Sequence, residues 1–415
     1  MEMLFNIGII FVLGSIIGWI SPKIGIPRVV GYLLLGLLIG PEVLGIIPTN
    51  FVEHSHLIID ISLSIIAVLV GATLKFSSFR GHAKEVVYIT LFQAIGTFVV
   101  VSVGFIILGG FFPFDTREVL LIALLLAGIA TATAPATPLA IVHELRAKGI
   151  FTSTFLAIVA LDDVISLMIF TFALTVGTSL IASAVFEWVN ILEAVVILAM
   201  SILFGTIAGL INTLLERVFV SSKTMETIAT IGLIFLVYSI SELYALEPLL
   251  SAMVMGIVMV NTSHHFDLIQ EEIDKHLANI IFMLFFILSA MYLKLDSLIT
   301  VPLIIAMYTL LRVVGKVLGS YLGAVVSKSS NTIKKYMGIA LFPQAGVAIG
   351  LALSIQNHAQ LDSIAPFILN VIIATTFVHE MLGPFMTKYA LQKSGECNHK
   401  AVDKKGKKHK RRHGD

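Results

Sequence analysis

Residues 117–143 read REVLLIALLLAGIATATAPATPLAIVH. The run is long and apolar enough to cross a bilayer, which takes about 20 mostly apolar residues. Near its middle stand Thr131-Ala132-Thr133-Ala134-Pro135-Ala136-Thr137-Pro138. Proline removes a backbone donor and clashes with a preceding carbonyl, so this span is expected to break. In lipid the freed polar groups need partners, and such irregularity survives only where protein buries it or water reaches it. The alternative is a simple proline kink packed against neighbours. The threonines on both sides favour a break with a purpose, because their hydroxyls can cap helix ends or offer oxygen to a cation.

A second run of this kind lies far downstream. Leu341-Phe342-Pro343-Gln344-Ala345-Gly346 sits inside an apolar stretch at 334–356. Between the two runs the whole chain reads as membrane protein. It has 415 residues, 57% apolar and 13% charged, with mean hydropathy +0.98. Those charges are too few to cover a water-facing surface, which excludes a soluble enzyme, a disordered chain and a nucleic-acid-binding module. Thirteen apolar runs are long enough to span: 3–20, 27–46, 56–74, 84–110, 117–143, 150–177, 190–217, 224–241, 243–261, 277–293, 298–327, 334–356 and 361–390. The division at Ser241-Glu242 is the weakest, since two short helices there could be one irregular one. The expected class is therefore an all-α polytopic membrane protein. Met1-Glu2 lacks the basic region of a secretory signal, so the first run is expected to be a true span.

Loop charges orient the chain. Thirteen Lys and Arg residues, including Lys23, Arg28, Arg80, Arg146, Lys148, Lys275 and Lys334, fall after odd-numbered spans; Arg117 and Lys294 fall on the opposite side. The positive-inside rule then places the N-terminus outside and the C-terminus in the cytoplasm. Ten further basic residues follow Thr387, ending in KKGKKHKRRHGD. This tail, 393–415, is expected to be a solvated cytoplasmic anchor, with docking on anionic lipid headgroups as the other reading. Cys397, the single cysteine, allows no internal disulfide and no thiolate cluster. No loop is long enough for a soluble domain.

The two interrupted spans are seven apart in order and so cross in opposite directions. That is the pattern of an inverted repeat, with spans 3–5 matching spans 10–12, and it points to a transporter's central site. Charges follow the breaks into the membrane. Asp162 and Asp163 lie about 18 Å from the start of span 6, near the midplane. An ionised side chain there costs about 2.5–3.5 kcal/mol even on a mild scale, so two in succession need a function or partners. Adjacent helical residues point about 100° apart, so one aspartate can face a cavity and the other a neighbouring helix. In span 11, Arg312 and Lys316 are four apart and share a face. Lys316 is the expected partner of Asp162, with snorkelling as the alternative; Arg312 would either neutralise helix dipoles or bind lipid. His379-Glu380 interrupts span 13, and Glu380 is a candidate counter-charge for Arg312. Asp60 receives no role. Gly14-x-x-x-Gly18 and Gly36-x-x-x-Gly40 are possible close-packing faces.

A carboxylate at the midplane can hold a proton or a cation. Low dielectric favours the protonated form and a nearby cation the charged one. Where these balance, proton and cation compete for one site, and alternating access turns competition into exchange. Hard monovalent cations such as Na+ prefer oxygen ligands. Asp163, with the hydroxyls of Thr131 and Thr133, open carbonyls and water, is a plausible set. An intramembrane aspartyl protease would need carboxylates converging from separate helices, which adjacent residues do not provide.

The stretches GYLLLGLLIGPEVLGI (31–46), TAPATPLAIVHEL (133–145), ALDDV (160–164), RVVGK (312–316) and GIALFPQAGVAIGLAL (338–353) resemble the bacterial and archaeal sodium/proton antiporters of the monovalent cation:proton antiporter-2 family. The resemblance runs to about residue 390. It implies an inverted-repeat fold with two broken crossing helices, in a transmembrane domain over 1–392. A dimer part would include spans near 3–46 and 190–261, and a mobile core would include spans near 56–177 and 277–390. By the same resemblance Asp163 is the ion-binding carboxylate, Asp162 pairs with Lys316, and both aspartates are candidate Na+ ligands. Thr133 is the threonine of the first break. Exchange of more protons than sodium ions, hence electrogenic transport serving pH homeostasis, and a homodimer joined through the first spans are further implications. Li+ is a possible substrate, and K+/H+ exchange or a cation channel of the same fold is the alternative. No resident cofactor is expected; Na+ and H+ are cargo. Where many relatives carry an arginine and an acid after the proline of span 12, this chain has Gln344-Ala345, so Arg312 or Glu380 would have to compensate charge. It also lacks the glutamine before the aspartate that marks the related glutathione-gated potassium efflux proteins.

Overall fold

A computed structural model describes residues 2–72, 74–75, 82–109, 115–182, 188–218, 223–263, 273, 277–292, 302–344, 346–355, 361 and 363–397. Arg80, Lys275, Lys294, Ala345 and the basic tail from Asn398 lie outside the described residues.

Among those residues every regular element is helical. The elements are α1 (Glu2–Ile20), a 3-10 turn (Ser21–Ile24), α2 (Arg28–Ile39), α3 (Thr49–Glu53), α4 (His56–Ala72), α5 (Ala83–Leu108), α6 (Thr116–Ala130), α7 (Ala136–Leu145) and α8 (Ile150–Ala182). They continue with α9 (Trp188–Val218), α10 (Lys223–Leu243), α11 (Pro248–Thr262), α12 (Ala278–Met291), α13 (Pro302–Val326), α14 (Asn331–Ala340), α15 (Gly346–Ser354) and α16 (Ala365–Ser394). Each expected span carries one of these helices or a broken pair. Seven of them, α1, α5, α8, α9, α10, α13 and α16, are long and apolar enough to cross a membrane. Helices α2, α4, α11 and α12 are shorter apolar ones.

Local chemistry sets the ends. Asp115 starts α6 with a capping box: its carboxylate accepts the Glu118 N–H at 2.8 Å, and Glu118 accepts the Asp115 N–H at 3.2 Å. Between α10 and α11 the chain breaks at Tyr244–Glu247, a little later than Ser241-Glu242. Ala245 adopts φ 53°, while the Leu246 N–H donates to Ser241 at 2.8 Å and the Ala245 N–H to Glu242 at 3.2 Å. This is a Schellman close, and Pro248 then begins α11 where its missing donor costs nothing. The first interrupted span is two helices joined by Thr131–Pro135. Pro135 is the residue that ends the break, whereas Pro138 lies in the first turn of α7, where no intrahelical donor is needed. The second interrupted span is α14 and α15 with Leu341–Gln344 between them. The breaks touch: the Ala134 N–H donates to the Pro343 carbonyl at 3.2 Å.

Helices α5 and α13, the central members of the two matching three-span units, pack along one another. Their contact uses a glycine stripe. A Cβ at Gly315, Gly319 or Gly323 would stand 2.6, 2.6 and 2.7 Å from the Cα atoms of Thr97, Gln93 and Ile89. Those are backbone atoms that cannot step aside, so the helices approach this closely only because the positions are glycine. Of the two spacings noted in the sequence, Gly14 and Gly36 both face α12, against Met283 and Ile287, while Gly18 meets Tyr32. A second apolar cluster joins α5, α6, α13, α15 and α16 through Phe105, Leu125, Tyr308, Leu351 and Ile368. Gly319→Ala is expected to overpack the α5–α13 contact and destabilise by about 1–3 kcal/mol, read as a fall of several degrees in the unfolding temperature of the detergent-purified protein. An unchanged temperature would mean that the two helices separate freely.

Candidate functional site

The broken helices leave carbonyl-rich ends inside the protein. Both α6 and α14 point their C-terminal ends at the crossing, where partial negative charge accumulates. Arg312 on α13 meets it. Its side chain is fully buried and donates to four carbonyls: Ala130 at 3.0 Å, Ala132 at 2.7 Å, Phe342 at 2.6 Å and Pro343 at 3.3 Å. Of the two expectations for this residue, the geometry is that of helix-end neutralisation and not lipid contact. Every hydrogen bond described for the guanidinium goes to backbone, and none to Glu380. Glu380 is buried on α16. Its neighbour His379 bonds through Nδ1 to the Thr375 carbonyl at 2.6 Å, leaves Nε2 without a partner, and packs against Phe342 and Tyr308.

One turn further along α13, Lys316 is 1% exposed. Its ammonium donates to Asp162 Oδ2 at 2.9 Å, to Thr133 Oγ1 at 2.7 Å and to the Thr131 carbonyl. The other carboxylate oxygen of Asp162 accepts from Gln93 Nε2 on α5. Asp162 is thus fully buried and held on both oxygens. Thr131 keeps its hydroxyl on Gly128 at 2.7 Å. Both threonines therefore serve the Asp162–Lys316 cluster in this structure. Gln344 takes a neighbouring role, donating from Nε2 to Tyr308 Oη at 2.9 Å and to the Ile129 carbonyl at 3.1 Å. The Thr387 hydroxyl donates to the Ala340 carbonyl at 3.0 Å, closing the end of α14.

Asp163 is different. It is half-buried, and its Oδ1 has no hydrogen-bond partner. It lines a cavity of about 590 Å³ whose wall includes Ala134–Ala136 of the first break, Val347 in the first turn of α15, Thr171, Tyr238 and Glu247. The first turns of α7 and α15 thus line the cavity that this carboxylate faces, and helix N-termini favour negative charge. From Asp163 the cavity follows α8 past Leu167 and Thr171 to Leu174 and reaches the start of α11. It therefore extends toward the side on which α8 ends. At the opposite side the Arg28 N–H donates to Glu144 on α7 at 2.8 Å, and Lys388 on α16 donates to the Gly25 carbonyl at 3.0 Å. Those bonds tie α7 and α16 to the segment that begins α2. Among the described residues no group of three or more His, Cys, Asp or Glu side chains is arranged to hold a metal.

The sequence reading missed Gln93, Tyr308 and Glu247. Gln93 could have been found, being the one amide in an apolar helix at the depth of the aspartates. Glu247 stands beside the uncertain division after Ser241, where its depth could not be assigned.

Known proteins share this architecture. Residues 8–389 match the family model described as sodium/hydrogen exchanger, transmembrane. The Na+/H+ antiporter of Enterococcus hirae is 23% identical over 400 residues, 95% of this chain and 99% of that one. The Na+/H+-K+ antiporter GerN of Bacillus cereus is 24% identical over 400 residues, covering 94% and 96%. Among solved structures, two of the sodium proton antiporter MjNhaP1 from Methanocaldococcus jannaschii match at 22% identity. One, at pH 8, has a TM-score of 0.67 over 94% of this chain and 96% of that one; the other has 0.76 over 95% and 98%. With its crossed broken helices and its match over nearly the whole length, this multi-pass membrane chain is a transporter that belongs to the sodium/hydrogen exchanger family.

Proposed function

We propose that the protein exchanges Na+, and Li+ where present, for H+ across the cell membrane by alternating access, with proton and cation competing for Asp163. The observation that carries this is the contrast between adjacent aspartates. Asp162 has both oxygens occupied by Lys316 and Gln93. Asp163 keeps an unpartnered oxygen at the end of a cavity, beside two helix N-termini. A dehydrated Na+ requires several oxygen ligands. Asp163, water and those carbonyls of the first break that Arg312 and Lys316 do not hold supply them, and Asp162 joins if it turns from Lys316. That turn would strip Lys316 of its counter-charge and release its proton, because a buried ammonium without a partner is strongly disfavoured. More protons than sodium ions then move per cycle, which makes transport electrogenic.

The remaining assignments belong to the same reading. The N-terminus lies outside and the C-terminus in the cytoplasm, from the loop charges, so the cavity faces outward and the Glu144–Arg28 and Lys388–Gly25 bonds close the inner face. The chain works within the monovalent cation:proton antiporter-2 branch as a homodimer. Residues near 3–46 and 190–261 form the fixed part, and those near 56–177 and 277–390 form the moving core. Arg312 acts as a fixed cation, with Glu380 a reserve acid. K+/H+ exchange is the second reading, favoured by the potassium in the name of the Bacillus cereus relative. Proton flux in proteoliposomes, across cations and with membrane potential clamped, separates the two and separates both from a channel, which would pass Na+ without moving protons.

Asp163→Asn is expected to abolish cation-dependent proton flux while the protein still inserts and elutes as a single folded species. Sodium-driven proton movement surviving in that variant would remove Asp163 from the site. Lys316→Ala is expected to retain some exchange but to lose or diminish its response to an imposed potential, measured with a pH dye in potassium-clamped liposomes. Equal voltage response in both proteins would separate Lys316 from the proton count.

A further inference from the structure

A second carboxylate faces the cavity that holds Asp163. Among the described residues lining it, Asp163 and Glu247 are the two charged side chains; Thr171 and Tyr238 add hydroxyls, and the rest of the wall is apolar. Glu247 occupies the N-cap position of α11, yet its carboxylate makes no capping hydrogen bond. Its backbone N–H is already satisfied by Ser201 Oγ at 2.9 Å, and Pro248 offers no N–H to accept. No first-turn N–H is bonded to the carboxylate, and the residue lines the cavity. Beside it, the Tyr238 hydroxyl donates toward Asp60 at 3.4 Å, which brings a third acid near this end.

A bare carboxylate against apolar walls is costly unless water or a cation attends it. The first turn of α11 favours its negative charge. Low-dielectric walls concentrate the field of such a charge along the cavity and raise the local cation concentration. Glu247 and Asp163 also stand on different helices, α11 and α8. Helix α11 packs with α4, α9 and α10, whereas the site of Asp163 is built on α8 with the broken helices. We propose that Glu247 is a cation-collecting residue of the access path, which holds a hydrated monovalent cation on its way to Asp163 and sets the apparent affinity from this face alone. The inference rests on Asp163 being the exchange site, and goes beyond it by giving the path a polarity.

The test compares right-side-out and everted membrane vesicles from a host lacking its own sodium/proton exchange. The sodium concentration giving half-maximal proton flux is read for the wild type, Glu247→Gln, Glu247→Asp and Asp163→Asn. Glu247→Gln is expected to raise that concentration roughly three- to ten-fold when sodium is presented at the cavity face. The maximal rate and the value from the other face should stay within about two-fold, and Glu247→Asp should recover most of the affinity. An unchanged value at the cavity face, or an equal loss from both faces, would overturn the proposal. Should Glu247→Gln fail to fold, carbodiimide labelling decides it. Sodium, compared with choline, is expected to slow modification of Glu247 in the wild type and also in Asp163→Asn, where the exchange site is gone; labelling indifferent to sodium would overturn the proposal. Absence of sodium-dependent flux in the wild type would instead overturn the exchange reading, and its persistence in Asp163→Asn would remove Asp163 from the site.

Discussion

Arg312 holds together the carbonyl ends of two helices that stop in the middle of the membrane. Four backbone oxygens from two segments converge on one guanidinium, and each would otherwise be an unsatisfied acceptor away from water, where such groups cost several kcal/mol. A guanidinium suits this better than an ammonium, because its planar fork directs several donors at fixed angles and its charge answers two helix C-termini at once. Gln344 and Thr387 complete the arrangement by donating to Ile129 and Ala340. With the C-terminal ends satisfied in this way, the N-terminal ends of α7 and α15 are left to face the cavity.

That division of polarity sorts the two aspartates. Lys316, one turn from Arg312, meets Asp162 on the carbonyl side, and Asp163, about 100° around α8, looks to the cavity on the helix-N-terminal side. Neighbouring residues thus acquire opposite circumstances, one held on both oxygens and one with an oxygen open. Gln93 matters because the α5–α13 glycine contact brings its helix close enough to reach Asp162. Packing and site chemistry are therefore one construction: the stripe that lets two backbones touch also delivers the amide that holds the pair.

Much of this was legible in one dimension because lipid punishes exceptions. Three mid-span prolines, two mid-span acids and two cations four residues apart have no cheap place in an apolar run, so they announced partners or breaks. That one of the two aspartates would meet a cation of span 11 followed from charge and depth; that it is Asp162 was an implication of the family resemblance. The partner of Arg312 did not: a counter-charge such as Glu380 was equally reasonable, and the structure answers with backbone carbonyls, which have no signature in a sequence. Thr131 and Thr133, expected as cation ligands, meet Lys316 in this structure through a carbonyl and a hydroxyl, because which group of a break faces inward depends on the chain crossing it.

The sequence by itself determined that the chain is a helical membrane protein with two interrupted spans of opposite direction and a buried acid–base cluster, since hydropathy, proline and charge act locally and their penalties in lipid are large. Only the tertiary structure decided which aspartate stays open, that Gln93 and four carbonyls complete the cluster, and that Glu247 shares the cavity. Those depend on the close approach of helices distant in sequence, and glycine stripes and crossing geometry set that approach through contacts that no single segment contains.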